Sequence, residues 1–250
     1  MSNYNPFQLD NKTIFITGAS SGIGRSTAIE CSKLGAKLII TGRNKERLNE
    51  TLKLLEGVGH SLIISDLSDH TQIVDLVSQL PPIDGFVNCS GIVKPLVVKY
   101  IEPTILSDIF NINTFAPIMM TQQLSFQKKI KNGCSLVFIS SILGTTCSQY
   151  GESVYSASKG AINGFVKGAA LEFSSRGARV NTINPGMITT GFLDNSSVSE
   201  EQLLDDIKKY PLKRYGKPEE VAFSVIYLLS DVSAWVTGSN LLIDGGFTLL

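Results

Sequence analysis

Residues 12–35 read "KTIFITGASSGIGRSTAIECSKLG", and the fold turns on how this stretch divides. "KTIFIT" (12–17) is an unbroken apolar run of strand length. It gives way to a glycine-rich turn, "TGASSGIG" (17–24), and then to helical spacing that stops at Gly35. Strand, tight turn and helix in that order suit a phosphate group, because the helix N-terminus offers unpaired N–H groups. Gly18 permits the tight turn, while Gly22 and Gly24 allow close approach of a pyrophosphate. The competing reading is a tight turn that holds nothing.

Working outward, strands alternate with helices to the end of the chain. "AKLIIT" (36–41), "HSLIISD" (60–66), "IDGFVNCSG" (83–91), "SLVFISS" (135–141), "ARVNTINPG" (178–186) and "SNLLIDGG" (239–246) read as further strands. Helical stretches lie between them. One is expected to run from Pro103 to about Lys128, with Pro117 kinking it because proline clashes with the carbonyl four residues earlier, that of Asn113. Strands alternating with helices predict βαβ units and a parallel sheet. The expected fold class is α/β: a Rossmann-type, doubly wound parallel sheet of about seven strands with helices on both faces. No linker or repeat interrupts 1–250, so one domain is expected.

Composition removes several classes. Of 250 residues, 43% are hydrophobic and 18% charged, enough for a sizeable core. Lys+Arg and Asp+Glu both number 22, which argues against nucleic acid as a partner. No apolar run reaches the ~18 residues of a membrane span, and "MSNYNPFQLDNK" does not read as a signal peptide. Four cysteines without CxxC spacing and two separated histidines predict reduced thiols, no metal and a cytoplasmic location.

In a doubly wound sheet, ligands bind at the carboxyl ends of the strands. The end of the second strand reads "ITGRN": Gly42 stands where an NAD site wants a carboxylate, and Arg43 follows. An arginine there welcomes a 2′-phosphate, so NADP(H) is favoured over NAD(H). Further on, "SVYSASKGA" (153–161) sets Tyr155 and Lys159 four residues apart, on one helix face. A cation beside a phenol favours the phenolate, which eases proton transfer near neutral pH.

Together these motifs resemble the short-chain dehydrogenase/reductase family, in its compact branch of about this length, over residues 10–247. "TGASSGIG" resembles the family's TGxxxGxG turn, "NCSG" (88–91) its NNAG, "NIN" (111–113) its helix asparagine, "ISS" (139–141) its serine, "YSASK" its Tyr–Lys pair and "NPGMITT" (184–190) its PGxIxT segment. The resemblance implies catalytic Asn113, Ser141, Tyr155 and Lys159. Tyr155 would be the general acid in reduction, Ser141 would bond the substrate oxygen, Lys159 would contact the nicotinamide ribose, and Asn113 would hold a water. It implies a cofactor site of Gly18, Ser20, Ser21, Gly22, Ile23, Gly24, Arg43, Asn44, Asp66, Leu67, Asn88, Gly91, Tyr155, Lys159, Pro185, Gly186, Ile188 and Thr190. The spacing from Ser141 to Tyr155 is one residue longer than in many members.

The implied activity is hydride transfer between NADP(H) and a ketone or secondary alcohol. "PLKRYGKPEEVA" and "VTGSNLLIDGG" resemble 3-oxoacyl-acyl-carrier-protein reductases and also sugar and steroid dehydrogenases. Alternatives are a non-catalytic cofactor-binding regulator and a methyltransferase, which would not need "YSASK". Candidate pocket residues are Ile92, Val93, Lys94, Leu143, Tyr150, Met187, Phe192 and Leu193, with 187–212 as a substrate lid. The family implies a homotetramer. "QKKIKNG" (127–133) with Arg176 is a candidate basic surface for an acyl carrier protein beside the active-site mouth, against the plainer reading of lysines at a helix C-terminus.

Overall fold

A computed structural model describes residues 4–190 and 200–250. Its centre is a parallel sheet of β1 (Thr13–Thr17), β2 (Lys37–Gly42), β3 (Ser61–Ile64), β4 (Ile83–Asn88), β5 (Ile130–Ile139), β6 (Arg179–Pro185) and β7 (Asn240–Ile243). The spatial order is β3-β2-β1-β4-β5-β6-β7, the doubly wound arrangement expected. In register, Thr17 lies beside Thr41 on one side and Asn88 on the other. The chain therefore reverses its direction of winding between β1 and β4, and a crevice opens there at the strand ends.

Period-two alternation fills both faces of the sheet. Phe15, Ile39, Phe86, Leu136 and Phe138 point into one core with Ile73, Leu76, Met120, Leu124, Ile162 and Val166. Ile14, Ile16, Leu38, Ile40, Val87 and Val137 point into the other, with Ala28, Cys31, Leu48, Val221, Val225 and Leu229. The first core is covered by α3 (His70–Ser78), α5 (Ala116–Phe126) and α6 (Ser153–Phe173); the second by α1 (Gly22–Lys33), α2 (Lys45–Lys53) and α8 (Pro218–Leu229). α4 (Pro103–Phe110) precedes α5, and α7 (Glu200–Ile207) follows β6. Helix starts follow local chemistry: Asn44 accepts from the Arg47 N–H at 2.8 Å, Asp69 from the Thr71 N–H at 2.9 Å, and Pro103 and Pro218 open their helices.

Two expectations need correction. The helix predicted from Pro103 to Lys128 is divided: Asn111–Phe115 forms a π turn between α4 and α5, and the Ala116 N–H donates to the Asn111 carbonyl, five residues back. Pro117 lacks an N–H and crowds the Asn113 carbonyl, so the regular i→i−4 ladder gives way at this point. The strand predicted from Ser135 begins at Ile130, because Ile83 pairs with Ile130 before the register shifts.

Candidate active site

One cleft of about 1040 Å³ lies along the carboxyl ends of the strands. Its first wall is the glycine turn. Gly18 has φ +67, and a Cβ there would lie 2.9 Å from the Cys89 carbonyl carbon and the Ser90 nitrogen. A Cβ on Gly24 would lie 2.3 Å from the Gly18 oxygen. Gly18 and Gly24 thus leave no room for a side chain. Ser21 begins α1 but its side chain makes no capping bond, which leaves the first N–H groups facing the cleft with Ser20, Gly22 and Ile23. Arg25 and Thr51, which the sequence reading missed, brace this turn. Arg25 donates to the Ser20 carbonyl at 2.8 Å and the Thr51 hydroxyl to the Ala19 carbonyl at 2.9 Å.

The second wall comes from the ends of β2 and β3. Gly42, Arg43, Asn44, Asp66 and Leu67 all line it. The Asp66 carboxylate accepts from the Ser68 N–H at 2.9 Å and hydroxyl at 2.8 Å. Among the described residues no hydrogen bond or ion pair engages the exposed Arg43 guanidinium.

The floor holds the predicted catalytic group. Ser141, Tyr155 and Lys159 line the cleft together, so the extra residue before Tyr155 is absorbed in the 142–152 loop, where Gly144 takes φ +88. The Ser141 hydroxyl accepts from the Leu143 N–H at 3.1 Å. The buried Lys159 ammonium donates to the Ile139 carbonyl at 2.9 Å and lies 5.8 Å from the Tyr155 ring centre. Burial pushes the Tyr155 phenol up to about 12; hydrogen bonding by Ser141 works against this, and the Glu152 charge adds to it. Burial pulls Lys159 down to about 8. In the protein alone, burial thus moves the phenol in the direction opposite to the one expected from a neighbouring cation.

Asn113 and Asn88 sit behind the wall rather than on it. The Asn113 amide donates to the Ile92 carbonyl at 2.8 Å and to the Ser158 hydroxyl at 3.1 Å, and its oxygen accepts from the Ile92 N–H at 2.8 Å. It pins the loop after β4 onto α6. Asn88 accepts from the Thr17 hydroxyl at 3.1 Å, tying β4 to β1. Gly91 does line the cleft, and a Cβ there would meet Asn113 Oδ1 and Lys159 Nζ at 3.4 Å. Pro185, Gly186, Ile188 and Thr190 form the remaining side. Thr190 reaches the turn: a Cβ on Gly22 would lie 3.2 Å from its methyl.

Of the candidate pocket residues, Ile92, Val93, Leu143 and Met187 line the cleft. Lys94 instead pairs with Asp108 at 2.9 Å, and Tyr150 is 92% exposed. Phe192 and Leu193, in the middle of the predicted lid, lie outside the described residues. Gln149, Glu152 and Tyr210 line the cleft without having been expected; only the fold of the 142–152 loop brings the first two there.

The basic segment is also misplaced by the sequence reading. Lys129 donates to the Leu80 carbonyl and Arg176 to the Ile130 carbonyl, at the start of β5. Ser141 follows the end of this ten-residue strand, ~30 Å away at 3.3 Å per residue. A strand's direction separates them, so no basic patch of 127–133 and Arg176 borders the mouth.

A doubly wound sheet with a glycine cradle at its switch point and a Tyr–Lys pair on the cleft floor defines a Rossmann-type dinucleotide-binding protein. The family model described as enoyl-(acyl carrier protein) reductase matches residues 18–248. The chain belongs to the short-chain dehydrogenase/reductase family, oxidoreductases that use a nicotinamide cofactor. It is 32% identical to a Rickettsia conorii protein named 3-oxoacyl-(acyl-carrier-protein) reductase FabG, covering 97% of this chain and 99% of the relative. Identity is also 32% to the protein of that name from Thermotoga maritima, covering 97% and 100%. Among solved structures, a dehydrogenase/reductase from Sinorhizobium meliloti superposes with TM-score 0.89 at 28% identity, covering 97% of each chain.

The residues fit a nicotinamide dinucleotide. A Cβ on Gly18 or Gly24 would collide with backbone, the first turn of α1 has no side-chain cap, and among the described residues nothing pairs with the Arg43 guanidinium at the end of β2. Among the described residues no cluster could hold a metal, and no helix is long and apolar enough to cross a membrane.

Proposed function

We propose that this chain reduces a ketone to a secondary alcohol with NADP(H), and runs the reverse reaction when alcohol is supplied. The observation that carries this reading is the meeting of Ser141, Tyr155 and Lys159 at the cleft floor. When bound, the nicotinamide supplies hydride to the carbonyl carbon.

The Tyr155 hydroxyl donates its proton to the substrate oxygen. Its phenol is neutral in this environment up to about 12, the protonation state that a general acid needs. The Ser141 hydroxyl bonds the same oxygen and fixes its position. Lys159 lies close enough to the Tyr155 ring to stabilise the phenolate left behind, and its ammonium also holds the cofactor ribose. The Asn113 side chain is fully used on Ile92 and Ser158. A relay water therefore falls to its main-chain carbonyl, at the π turn.

The glycine turn with Ser20, Ser21 and Ile23 takes the pyrophosphate. Asp66 and Leu67 flank the adenine, and Gly91, Pro185, Gly186, Ile188 and Thr190 surround the nicotinamide half. Arg43 and Asn44 read the 2′-phosphate, with Gly42 in place of a repelling carboxylate; this supports NADP(H) over NAD(H). Residues 187–212 act as the substrate lid; the Met187 N–H donates to the Tyr210 hydroxyl at 3.3 Å at its base. Exposed Phe115 and Phe126 beside the long helices and Leu242 and Leu249 near β7 support a homotetramer, in the cytoplasm.

The names of the relatives make 3-oxoacyl thioesters the first substrates to test, with an acyl carrier protein as partner. The test is loss of NADPH absorbance with a panel of ketones and 3-oxoacyl thioesters, against NADH and with Tyr155→Phe as control. Turnover with NADPH that the control abolishes is expected. A protein that binds NADPH but reduces no member of the panel would remove the reading.

A further inference from the structure

Glu152 stands three residues ahead of Tyr155, at the position that begins α6. A carboxylate there ordinarily accepts from the N–H groups of the first turn. This one does not: its side chain makes no capping bond, and it lines the cleft instead. Its Oε2 is buried without a hydrogen-bond partner. Among the described residues no ion pair engages the carboxylate, and burial pushes its carboxyl above the usual range with nothing set against it.

An acceptor left without a protein partner is costly unless water or a ligand answers it. A substrate entering the cleft strips the remaining water from the carboxylate. The substrate must then bring a donor of its own. Side chains one helical turn apart have Cβ atoms ~5–6 Å apart. A carbonyl oxygen held by Tyr155 therefore puts the neighbouring one or two carbons within reach of Glu152. Gln149, on the same loop, adds a second polar group at this end of the cleft.

We propose that Glu152 determines specificity by accepting a hydrogen bond from a hydroxyl one or two carbons from the reacting carbonyl. The favoured substrates are then hydroxyketones and, in the reverse direction, the matching diols. This rests on the ketone-reductase reading of the same cleft and names its substrate class. A 3-oxoacyl thioester presents only carbonyl acceptors near its keto carbon, which a carboxylate repels, so the two substrate classes are separable by experiment.

The measurement is kcat/KM with NADPH for 3-hydroxy-2-butanone, 2-butanone and a 3-oxobutanoyl thioester, in the wild type, Glu152→Gln and Glu152→Leu. Thermal melts with and without NADPH check that each variant folds and binds cofactor. A hydrogen bond to a charged group predicts that the wild type prefers the hydroxyketone over 2-butanone by about 10- to 100-fold. Glu152→Gln should keep part of that ratio, through its amide oxygen, and Glu152→Leu should lose it. Equal use of both ketones by the wild type overturns the proposal while leaving the ketone-reductase reading intact. So does a ratio unchanged in Glu152→Leu, or a wild-type preference for the thioester that the leucine variant does not alter. A wild type that turns over none of the three overturns both.

Discussion

The Lys159 ammonium lies 5.8 Å from the centre of the Tyr155 ring and gives a hydrogen bond to the Ile139 carbonyl at 2.9 Å. The cation is thus anchored to the end of β5 rather than to the phenol it faces. Its position is set by the sheet, and Tyr155 keeps its own proton.

Removing that proton source is the first prediction. Tyr155→Phe keeps the ring and its packing, so NADPH affinity should stay within a few-fold while turnover falls by about 10²–10⁴, the usual share of a general acid. Steady-state kinetics alongside a cofactor titration decide this. Near wild-type turnover would take Tyr155 out of the chemistry.

Lys159 gives a pH dependence. Burial lowers its pKa to about 8, so the free protein loses this charge as pH rises through that value. An anionic cofactor binds the charged form better. NADPH affinity should therefore weaken above about pH 8, and binding near that pH should take up a proton. Calorimetry in buffers of differing ionisation enthalpy reads the uptake directly. Lys159→Met should abolish it, and uptake that persists in this variant would assign it to another group.

Cofactor choice rests on two adjacent positions. Arg43→Ala should weaken NADPH by about 1.5–3 kcal/mol, the range for a charged hydrogen bond, with little change for NADH. The atoms nearest to a Cβ on Gly42 are the Leu48 methyls and the Ser20 hydroxyl, at 3.7 Å, so a side chain can start there without a clash. Gly42→Asp should therefore repel the 2′-phosphate, accept ribose hydroxyls and reverse the preference toward NADH. Equal losses for both cofactors in either variant would mean that neither residue reads the phosphate.

Behind Lys159 runs a buried polar chain. The Asn163 amide donates to the Ser140 hydroxyl at 2.7 Å and the Lys159 carbonyl at 2.8 Å, and its oxygen accepts from Thr182 at 2.9 Å. Asn163→Leu removes these three bonds, while Ser140 still donates to the Lys159 carbonyl at 3.1 Å and Thr182 to Asn240 at 2.8 Å, so the net cost should be about 1 kcal/mol. Urea unfolding should show a loss of that size. A melt unchanged from wild type would show that the chain re-forms without Asn163.

Pro117→Ala restores the N–H that the proline lacks. The π turn at 111–115 should then relax toward regular helix, and the variant should gain stability, by at most the ~3 kcal/mol that an interior proline costs. Turnover should fall if the Asn113 carbonyl holds the relay water. A structure that keeps the π turn would assign it to the Asn113–Ile92 bonds instead.

The layers of this protein and the class of its cleft are legible in its residues alone. Both rest on local chemistry: apolar runs of strand length, glycine where a turn admits no Cβ, and a Tyr–Lys pair spaced by one helical turn. Gly42-Arg43 was equally legible, since strand ends fall at fixed offsets from the pattern. Long-range approach and burial set the rest. Asn113 and Asn88 turned out to be braces behind the wall, because their donors and acceptors are met by Ile92, Ser158 and Thr17. The lysines at 128–131 lie at the amino-terminal end of β5, away from the cleft, because strand direction and not sequence proximity sets which end faces it. Burial raises the Tyr155 phenol, against the hydrogen bond from Ser141. The 142–152 loop folds Glu152 into the cleft, where no residue of the described chain answers its charge.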